Sequence, residues 1–356
     1  MIRSTVSRYV HIRQLTSGVP KCEQVIAHRT RNPISLTSVI SSTSYRNSKY
    51  KTSYHHSQNH SQRYRTIHNT PRTMAPTHAE KPNDWSAQQY LKFDTERTRP
   101  VYDLVGQIAS HLSDVSSPRI YDLGCGPGNS SSVLLSAFPG AKLTGMDNSP
   151  DMLLKARSTL PDAEFVEGDL SSFAPGNDAD LIFSNAAIHW LRSPQRIPSL
   201  VRMFEGLKKG GILAFQIPDN YTERSHALMR TVALTPSQPW SQYFADARVG
   251  DLQDSKRPDL DPIEAPSAFY NAFASEAATV NIWRTTYQHV LKDVPAIVEW
   301  VKGTGLQPFL HLIPEEEARK EYVKAYEREL KNAYPELVDG KVLLAYPRLF
   351  VLAVKS

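Results

Sequence analysis

Three glycines alternate with other residues in YDLGCGPGNSSS, the segment 121–132. Gly124, Gly126 and Gly128 follow a short apolar run and precede a run that is typical of a helix. Glycines at this spacing let a loop bring its backbone close to a ligand. The segment has no Lys or Arg that could hold a phosphate, and the carboxylate of Asp122 would repel one. These residues therefore predict a loop that binds a small molecule, and they disfavour a pyrophosphate as the bound group.

Polar side chains also stand at the ends of the apolar runs that follow. Asp147 ends TGMD, Asp169 ends VEGD and Asn185 ends LIFSN. An acid at the end of the second strand can accept both hydroxyls of a ribose, in dinucleotide-binding proteins and in other nucleotide-binding proteins alike. The dinucleotide fingerprint is G-x-G-x-x-G, and here the third glycine, Gly128, comes one residue early. An NAD-dependent oxidoreductase therefore stays as an alternative that the glycine spacing disfavours.

Alternating apolar and helical runs supply the elements that would position these residues. Ser149 is suited to cap a helix that has Pro150 at its first position. Strands that alternate with helices predict a parallel sheet with helices on both faces, and ligands of such sheets bind beyond the carboxyl ends of the strands. The predicted strands are 119–123, 141–147, 163–169, 179–185 and 211–217, and the predicted helices are 129–138, 149–160 and 196–207, the last of them ended by KKGG at 208–211.

The ordered set of glycine loop and strand-end polar residues resembles the class I S-adenosylmethionine-dependent methyltransferases. This resemblance implies a Rossmann-like α/β fold, in which a mostly parallel seven-stranded sheet carries helices on both faces and a lid insertion. It implies S-adenosylmethionine as the cofactor, with the glycine loop against its methionine part. By position, Asp147 would hold the ribose, and Asp169 would contact the adenine amino group beside Leu170. The cofactor-binding candidates are Asp122, Gly124, Gly126, Gly128, Asp147, Asp169, Leu170 and Asn185.

From 84–100 to 345–355 the chain is similar to the trans-aconitate methyltransferases. ERTRP, IWRTTY and YPRLF are the more specific matching stretches. The resemblance implies esterification of a carboxylate of a small di- or tricarboxylic acid, with trans-aconitate as the first expectation and another small organic or secondary-metabolite acid as the alternative. Because a carboxylate is ionised at neutral pH, no catalytic acid or base is predicted.

Arginine side chains are the natural ligands for the carboxylates that do not react. The candidates are Arg97, Arg99, Arg284 and Arg348, each among aromatic or β-branched residues, and a structural ion pair with Glu96 is the alternative for the first two. His189 and Trp190, just past the fourth strand, are further candidates, and Gln216, Asp219 and Asn220 are expected near the same cavity. Tyr287 and Trp300 could line it, although core packing is the simpler interpretation of both.

The part of the chain from about 222 to 341 interrupts the alternation of strands and helices. It contains a predicted sixth strand at 281–291 and a predicted amphipathic helix at 314–330 that starts at a proline. The stretches 298–310 and 236–280 are expected to form a lid over the acceptor. At the front of the domain, Pro100 is expected to open a helix.

The first 79 residues differ in character from the rest of the chain. They carry 12 Lys and Arg against one acid, whereas residues 80–356 carry 29 Lys and Arg against 35 acids. We therefore expect a basic, disordered leader and a methyltransferase domain from residue 80 to 356. The Arg- and Ser-rich start resembles a mitochondrial transit peptide, so a mitochondrial location is predicted, with a cytoplasmic one as the alternative.

Several classes of partner are disfavoured by the composition. RNA binding by the leader is a rival hypothesis, but the acidic body favours no nucleic-acid partner, and no apolar run is long enough to span a membrane. His55, His56 and His60 lie in a polar tract without other metal ligands, so no metal site is predicted. Two cysteines fit a reducing compartment. We expect a monomer whose partner is a small carboxylate substrate.

Overall fold

A seven-stranded sheet organises the part of the chain that the computed structural model describes, residues 91–356. The strands lie in the order β3-β2-β1-β4-β5-β7-β6. The first five are parallel to one another, and β7 runs antiparallel to both β5 and β6. The predicted mostly parallel α/β sheet is therefore confirmed. The strands are β1 Arg119–Leu123, β2 Lys142–Asp147, β3 Glu164–Glu167, β4 Ala179–Asn185, β5 Leu207–Pro218, β6 Ala277–Leu291 and β7 Val342–Lys355.

Helices cover both faces of the sheet because its central strands are apolar on both sides. Leu181 and Phe183 of β4 pack on one face with the first two helices, whereas Ile182 packs on the opposite face with the fourth. The helices are α1 Asp94–Ile108, α2 Asn129–Ala137, α3 Pro150–Thr159, α4 Ser193–Glu205, α5 Arg224–Ala233, α6 Ser241–Phe244, α7 Pro266–Phe273, α8 Val294–Lys302, α9 Gln307–His311 and α10 Glu316–Ala333. Short 3-10 turns span Leu91–Phe93, Ala109–His111 and Ile188–Trp190.

A third apolar core lies outside the two faces of the sheet. It joins α5, α8, α9 and α10 to the ends of β6 and β7, with Met229, Ile297, Tyr322 and Leu344 among its buried members. Most of the predicted 222–341 region thus folds as a helical layer with a core of its own. The β6 strand crosses this region and pairs with β7 along its length.

Three helices begin two or more residues away from the predicted start, and one of them is α4, which begins at Ser193 instead of residue 196. Pro100 lies inside α1, which begins six residues earlier at Asp94. A proline removes one helical hydrogen bond, but the first turn is held by the side chain of Arg97, which donates to the carbonyl oxygen of Trp300 at 3.0 Å. The last predicted helix begins at Glu316, after its proline rather than at it.

The segment 208–211 does not stop the preceding helix, as was predicted, but belongs to β5. The helix ends at Glu205, and Gly206 follows it. The register of β5 against β4 shifts between Ala179 and Leu181, so the extra residues bulge within the strand. Gly210 has φ +76, a backbone conformation that glycine adopts without strain.

Candidate active site at the carboxyl ends of the strands

The glycine loop joins β1 to α2 and is tied to the neighbouring strand. The backbone N–H groups of Gly124 and Cys125 both donate to the carbonyl oxygen of Met146, at 2.7 and 3.0 Å. A Cβ added to Gly124 would overlap the side chain of Ala187, so only glycine allows this close approach. Gly126 has φ +54, and a Cβ there would meet no protein atom within 4 Å. The loop therefore presents bare backbone to the space beyond the strands.

That space is a cavity of about 460 Å³. The residues on its loop side come from the ends of β1, β2, β3 and β4, as expected for a parallel sheet. Six of the predicted cofactor-binding residues line it, namely Gly124, Gly126, Asp147, Asp169, Leu170 and Asn185. Ala186 also lines it and has φ +53, a strained backbone conformation of the kind that clusters at functional sites.

The two acidic side chains on this side are fixed by backbone N–H groups. Asp147 accepts from Gly126 at its Oδ2 and from Ser149 at its Oδ1, both at 2.9 Å. Ser149 in turn caps α3, as predicted, by accepting from the N–H of Met152 at 3.3 Å. Asp169 accepts from the N–H of Ser171 at 2.7 Å. Asp147 thus links the glycine loop to the start of α3.

Asp122 and Gly128 were predicted to bind the cofactor, but neither lines the cavity. Asp122 is fully buried and accepts hydrogen bonds from the hydroxyls of Ser130 and Ser131 at 2.7 and 2.6 Å. Since successive side chains of a strand point to opposite faces, this carboxylate faces α2 rather than the cavity. Gly128 has φ +95 and is the residue that precedes α2. Both residues hold the loop and helix in place.

Burial raises the pKa of Asp122 to about 6, although the two serine hydroxyls act to lower it. The folded protein favours the protonated carboxyl. This contribution to the unfolding free energy is fully present below the unfolded pKa of 3.8, and it is lost as the pH rises through about 6. Between pH 5 and pH 7.5 the unfolding free energy of the wild type should fall relative to that of Asp122→Asn, on the order of 1 kcal/mol, because asparagine does not titrate. Urea unfolding at the two pH values measures this. An equal difference between the two proteins at both pH values would contradict it.

The far side of the cavity carries two buried arginines. Arg97 of α1 is 8% exposed and Arg348 of β7 is 3% exposed, and both line the cavity. The guanidinium of Arg97 lies 5.2 Å from the ring centroid of Trp300, and that of Arg348 lies 5.2 Å from the ring of Tyr346. The cations are therefore set against aromatic walls rather than in solvent.

A row of polar side chains connects the two sides of the cavity. Arg348 donates from Nη1 to the Oε1 of Gln216 at 2.9 Å. Gln216, fully buried on β5, donates from its Nε2 to the Oδ1 of Asn185 at the end of β4. Hydrogen bonds of this kind across three strands hold both terminal side chains in one orientation.

Arg99 and Arg284 were predicted as acceptor ligands, but neither lines the cavity. Arg284 is half-exposed and forms an ion pair with Asp219 at 2.8 Å. Arg99 lies 5.2 Å from the ring centroid of Tyr287. Tyr287 is a core residue whose hydroxyl donates to Asp103 at 2.5 Å, so the simpler interpretation of this tyrosine is correct.

His189 and Trp190 lie on the 3-10 turn after β4, and both line the cavity. Burial lowers the pKa of His189 well below its ordinary value, and the charges of Arg196 and Arg348 lower it further. The imidazole is therefore neutral. The two rings are in contact, with centroids 5.0 Å apart.

The electrostatic character of this end of the cavity is positive. Burial lowers the pKa of the nearby His289 to about 4, and Arg348, Arg99 and Arg97 all add to that shift. Three guanidinium groups thus raise the local potential, two of them from the cavity wall. Such a site favours a ligand with more than one negative charge.

Several lining residues were not predicted. Asn129, Gln195, Thr304 and Tyr346 all contribute to the wall. Tyr346 is two residues before Arg348, so the YPRLF stretch held a usable signal. Asn129 lies in the glycine-loop segment 121–132 and Thr304 in the predicted lid stretch 298–310, whereas nothing local marks Gln195. Of the two predicted lid stretches, 298–310 supplies Trp300 and Thr304, and 236–280 supplies no lining residue.

Within residues 91–356 there is no group of three or more His, Cys, Asp or Glu side chains that could hold a metal ion. His55, His56 and His60 lie outside the described residues. In the same part of the chain, no helix is long and apolar enough to cross a membrane.

Comparison with known proteins places this geometry in context. A family model described as a methyltransferase domain matches residues 120–211. A trans-aconitate 2-methyltransferase of Rhodopseudomonas palustris strain BisB18 is 45% identical over 272 residues, which are 76% of this chain and 99% of the relative. The trans-aconitate 2-methyltransferases of Rhizobium rhizogenes and Agrobacterium fabrum are each 42% identical over 272 residues, again 76% of this chain and 99% of each relative.

The mitochondrial location predicted from the leader is wrong. The relatives are bacterial proteins, and bacteria contain no mitochondria. Transit peptides and other basic segments share an Arg- and Ser-rich, acid-poor composition. Composition alone therefore did not identify the cellular location. The leader itself lies outside the described residues.

Proposed function

Because this chain belongs to the family of the trans-aconitate 2-methyltransferases, we propose that it esterifies one carboxylate of trans-aconitate. It is a methyltransferase whose cofactor is S-adenosylmethionine. The observation that carries the acceptor assignment is the pair of buried arginines, Arg97 and Arg348, on the cavity wall opposite the glycine loop. A polycarboxylate is the small-molecule class that two such groups recognise.

The loop side of the cavity fits the cofactor. The bare backbone at Gly126 leaves room that a Cβ would occupy, and no Lys or Arg lies in the segment 121–132. Asp147 is the ribose ligand in this proposal, and Asp169, beside Leu170, contacts the adenine. Asn185 completes this side of the site. A carboxylate near a sulfonium is electrostatically favourable, whereas it would repel a phosphate.

The bound cofactor supplies an electrophilic methyl group, and the acceptor carboxylate is already ionised at neutral pH. No residue of the chain therefore has to remove a proton. The work of the protein is to hold the acceptor oxygen in line with the methyl carbon and to exclude water. The lowered pKa of His189 supports this division of roles, because a weakly basic imidazole accepts a proton poorly but still donates a hydrogen bond from its N–H.

The acceptor is held by its non-reacting carboxylates. In this proposal Arg97 and Arg348 each bind one of the two non-reacting carboxylates, and His189 donates to the third carboxylate, which is the one that reacts. Trp190 and Trp300 close the apolar sides of the cavity. The fixed row from Arg348 to Asn185 supports this arrangement, because it prevents the guanidinium from turning away.

The domain organisation stays part of the proposal. Residues 80–356 form the methyltransferase domain, and within 222–341 the helices α8 and α9 are the segment that covers the acceptor. Trp300 and Thr304 support this, since both lie on the cavity wall. A monomer without a nucleic-acid partner remains the expectation, and light scattering of the purified protein measures the first point.

Replacing Gly126 by alanine is expected to weaken cofactor binding at least tenfold, or about 1.4 kcal/mol. The new methyl group would stand in the cavity, and its backbone at φ +54 would be strained. Isothermal titration calorimetry with S-adenosylmethionine measures the effect. Gly106→Ala is the matched control, because a Cβ there also meets open space, but in the last turn of α1. Equal affinities of the two variants would refute the placement of the cofactor.

A panel of acids tests the acceptor class. At saturating cofactor, kcat/KM is expected to be highest for trans-aconitate, lower for cis-aconitate, citrate and itaconate, and negligible for a long-chain fatty acid. The order follows from the number and placement of carboxylates that two arginines can hold. Preference for the fatty acid would contradict the arginine assignment, and preference for another small diacid would keep the site and change the substrate.

A further inference from the structure

A strap of the chain between α6 and α7 lies behind the turn that carries His189 and Trp190. We define the strap as residues 257–264. Its side chains do not line the cavity. Three acids and one arginine of the strap meet two arginines of the turn and of α4, and most of these charged groups are buried. Burying charges costs free energy, and the cost is offset only where the ion pairs and hydrogen bonds have good geometry.

Asp261 is the centre of this network. It is 7% exposed, and its Oδ2 accepts from the backbone N–H of Ser193, the first residue of α4. Its Oδ1 accepts from Arg192 at 3.2 Å and from Arg257. Arg192 also donates to the carbonyl oxygens of Asp259 and Arg257, each at 2.7 Å. The strap therefore holds Arg192 and Ser193, two of the three residues that follow the His189–Trp190 turn.

A second grip lies one turn further along α4. Arg196 is fully buried and donates to the carboxylate of Glu264 and to the carbonyl oxygen of Pro262, the latter at 3.2 Å. From the same guanidinium it donates to the carbonyl oxygen of Leu191 at 2.9 Å. Leu191 is itself on the cavity wall. The connection between the turn and α4 is thus held at Leu191 by Arg196 and at Ser193 by Asp261.

The charges of the network are balanced. Arg192, Arg196 and Arg257 face Asp259, Asp261 and Glu264, with ion pairs of 3.2 Å between Arg192 and Asp261 and 3.5 Å between Arg257 and Asp259. Each arginine already has a carboxylate, so the cluster is not suited to bind an anionic ligand. Its remaining role is to fix backbone.

We propose that Asp261 is a positioning residue for the acceptor: it sets the His189–Trp190 turn at the cavity wall without touching the acceptor or the cofactor. The inference rests on the proposed function, because it is the acceptor side of the cavity that the turn forms. Cofactor affinity should be independent of the strap, since the cofactor residues lie at the ends of β1, β2, β3 and β4, and none of them belongs to the turn or to the strap.

The test is Asp261→Asn, which keeps the size of the side chain and removes its charge. We expect the KM for trans-aconitate to rise about tenfold, the Kd for S-adenosylmethionine to change by less than twofold, and amide hydrogen exchange of residues 188–193 to become faster. Glu264→Gln should produce the same pattern more weakly, because Glu264 acts on the turn through Arg196. It replaces Asp261→Asn as the test if that variant does not fold. Asp251→Asn is the control, because that acid pairs with the exposed Arg248 at 3.6 Å in the same part of the chain.

The hydrogen-exchange measurement separates this proposal from the proposed function. Suppose that exchange at 188–193 is faster in the variants, but that neither the wild type nor any variant turns over trans-aconitate. This result would support the role of the strap and contradict the acceptor assignment. Unchanged exchange and unchanged KM in both variants would overturn the strap proposal. A rise in KM that is matched by an equal rise in the cofactor Kd would also overturn it, because that pattern marks a general loss of structure.

Discussion

Arg348→Met is expected to lower kcat/KM for trans-aconitate at least 100-fold, or about 2.7 kcal/mol, while the cofactor Kd changes less than twofold. The guanidinium is 3% exposed on the cavity wall, and its loss would leave an acceptor carboxylate desolvated without a partner. The kcat/KM of Arg348→Lys should lie between the values of the wild type and of Arg348→Met. Lysine keeps the charge but not the planar guanidinium that also reaches Gln216. Steady-state kinetics with varied acceptor, together with calorimetry for the cofactor, measure both effects.

Arg284→Met is the matched control for this prediction. Arg284 lies on the neighbouring strand β6, carries the same charge and pairs with Asp219 away from the cavity. We expect its kcat/KM to stay within about threefold of the wild type, since an exposed ion pair contributes little. If the two methionine variants lost activity equally, the arginine assignment would fail, and if neither lost activity, the acceptor would have to be held elsewhere.

Asp147→Ala is expected to raise the Kd for S-adenosylmethionine more than tenfold, or by more than about 1.4 kcal/mol. Two effects act together. The ribose hydroxyls lose their acceptor, and the N–H groups of Gly126 and Ser149 lose the carboxylate that ties the glycine loop to α3. Asp147→Asn should retain part of the affinity, because one amide oxygen can still accept. Calorimetry on the two variants measures the series.

Asp246→Ala is the control for the second prediction. Asp246 is an exposed acid between α6 and α7 that does not line the cavity, so its removal changes the net charge equally without touching the site. Cofactor affinity should match the wild type. An unchanged Kd in Asp147→Ala would remove this residue from the cofactor site, and the assignment of Asp169 would then need its own test.

The sequence was most informative where local rules decide structure. β1 and β4 have the predicted bounds, and Ser149 caps α3 as expected, because each signal lies within a few neighbouring residues. The glycine loop was also predictable, since its conformation depends on residues that tolerate positive φ. The order of strand-end polar residues also located one side of the cavity, since Asp147, Asp169 and Asn185 all line it.

Side-chain direction was the main thing that the sequence could not supply. Arg284 and Arg348 lie in similar aromatic contexts on paired antiparallel strands, but Arg284 is opposite Leu349 and Arg348 is opposite Thr285. Because alternate residues point to opposite faces, the two arginines face different sides of the sheet, and only one reaches the cavity. Asp122 was misassigned for the same reason.

Contacts between distant segments were the other gap. Arg97 meets Trp300, and Asp261 meets Ser193, across more than 60 residues of chain. No local pattern encodes such a meeting, because it depends on how the helical layer and the strap pack against the sheet. The role of 257–264 in particular has no sequence signature, since a charged loop segment is most often solvated.

The most direct test of the central claim is methyl transfer by the full chain from S-adenosylmethionine labelled in its methyl group to trans-aconitate. The proposal predicts that the label appears in a small acid and that mild base releases this label as methanol, as it does from a methyl ester. Without the acceptor, no label should be transferred. Label that resists base, or cofactor binding with no transfer to trans-aconitate, would contradict the assignment of this protein as a trans-aconitate carboxyl methyltransferase.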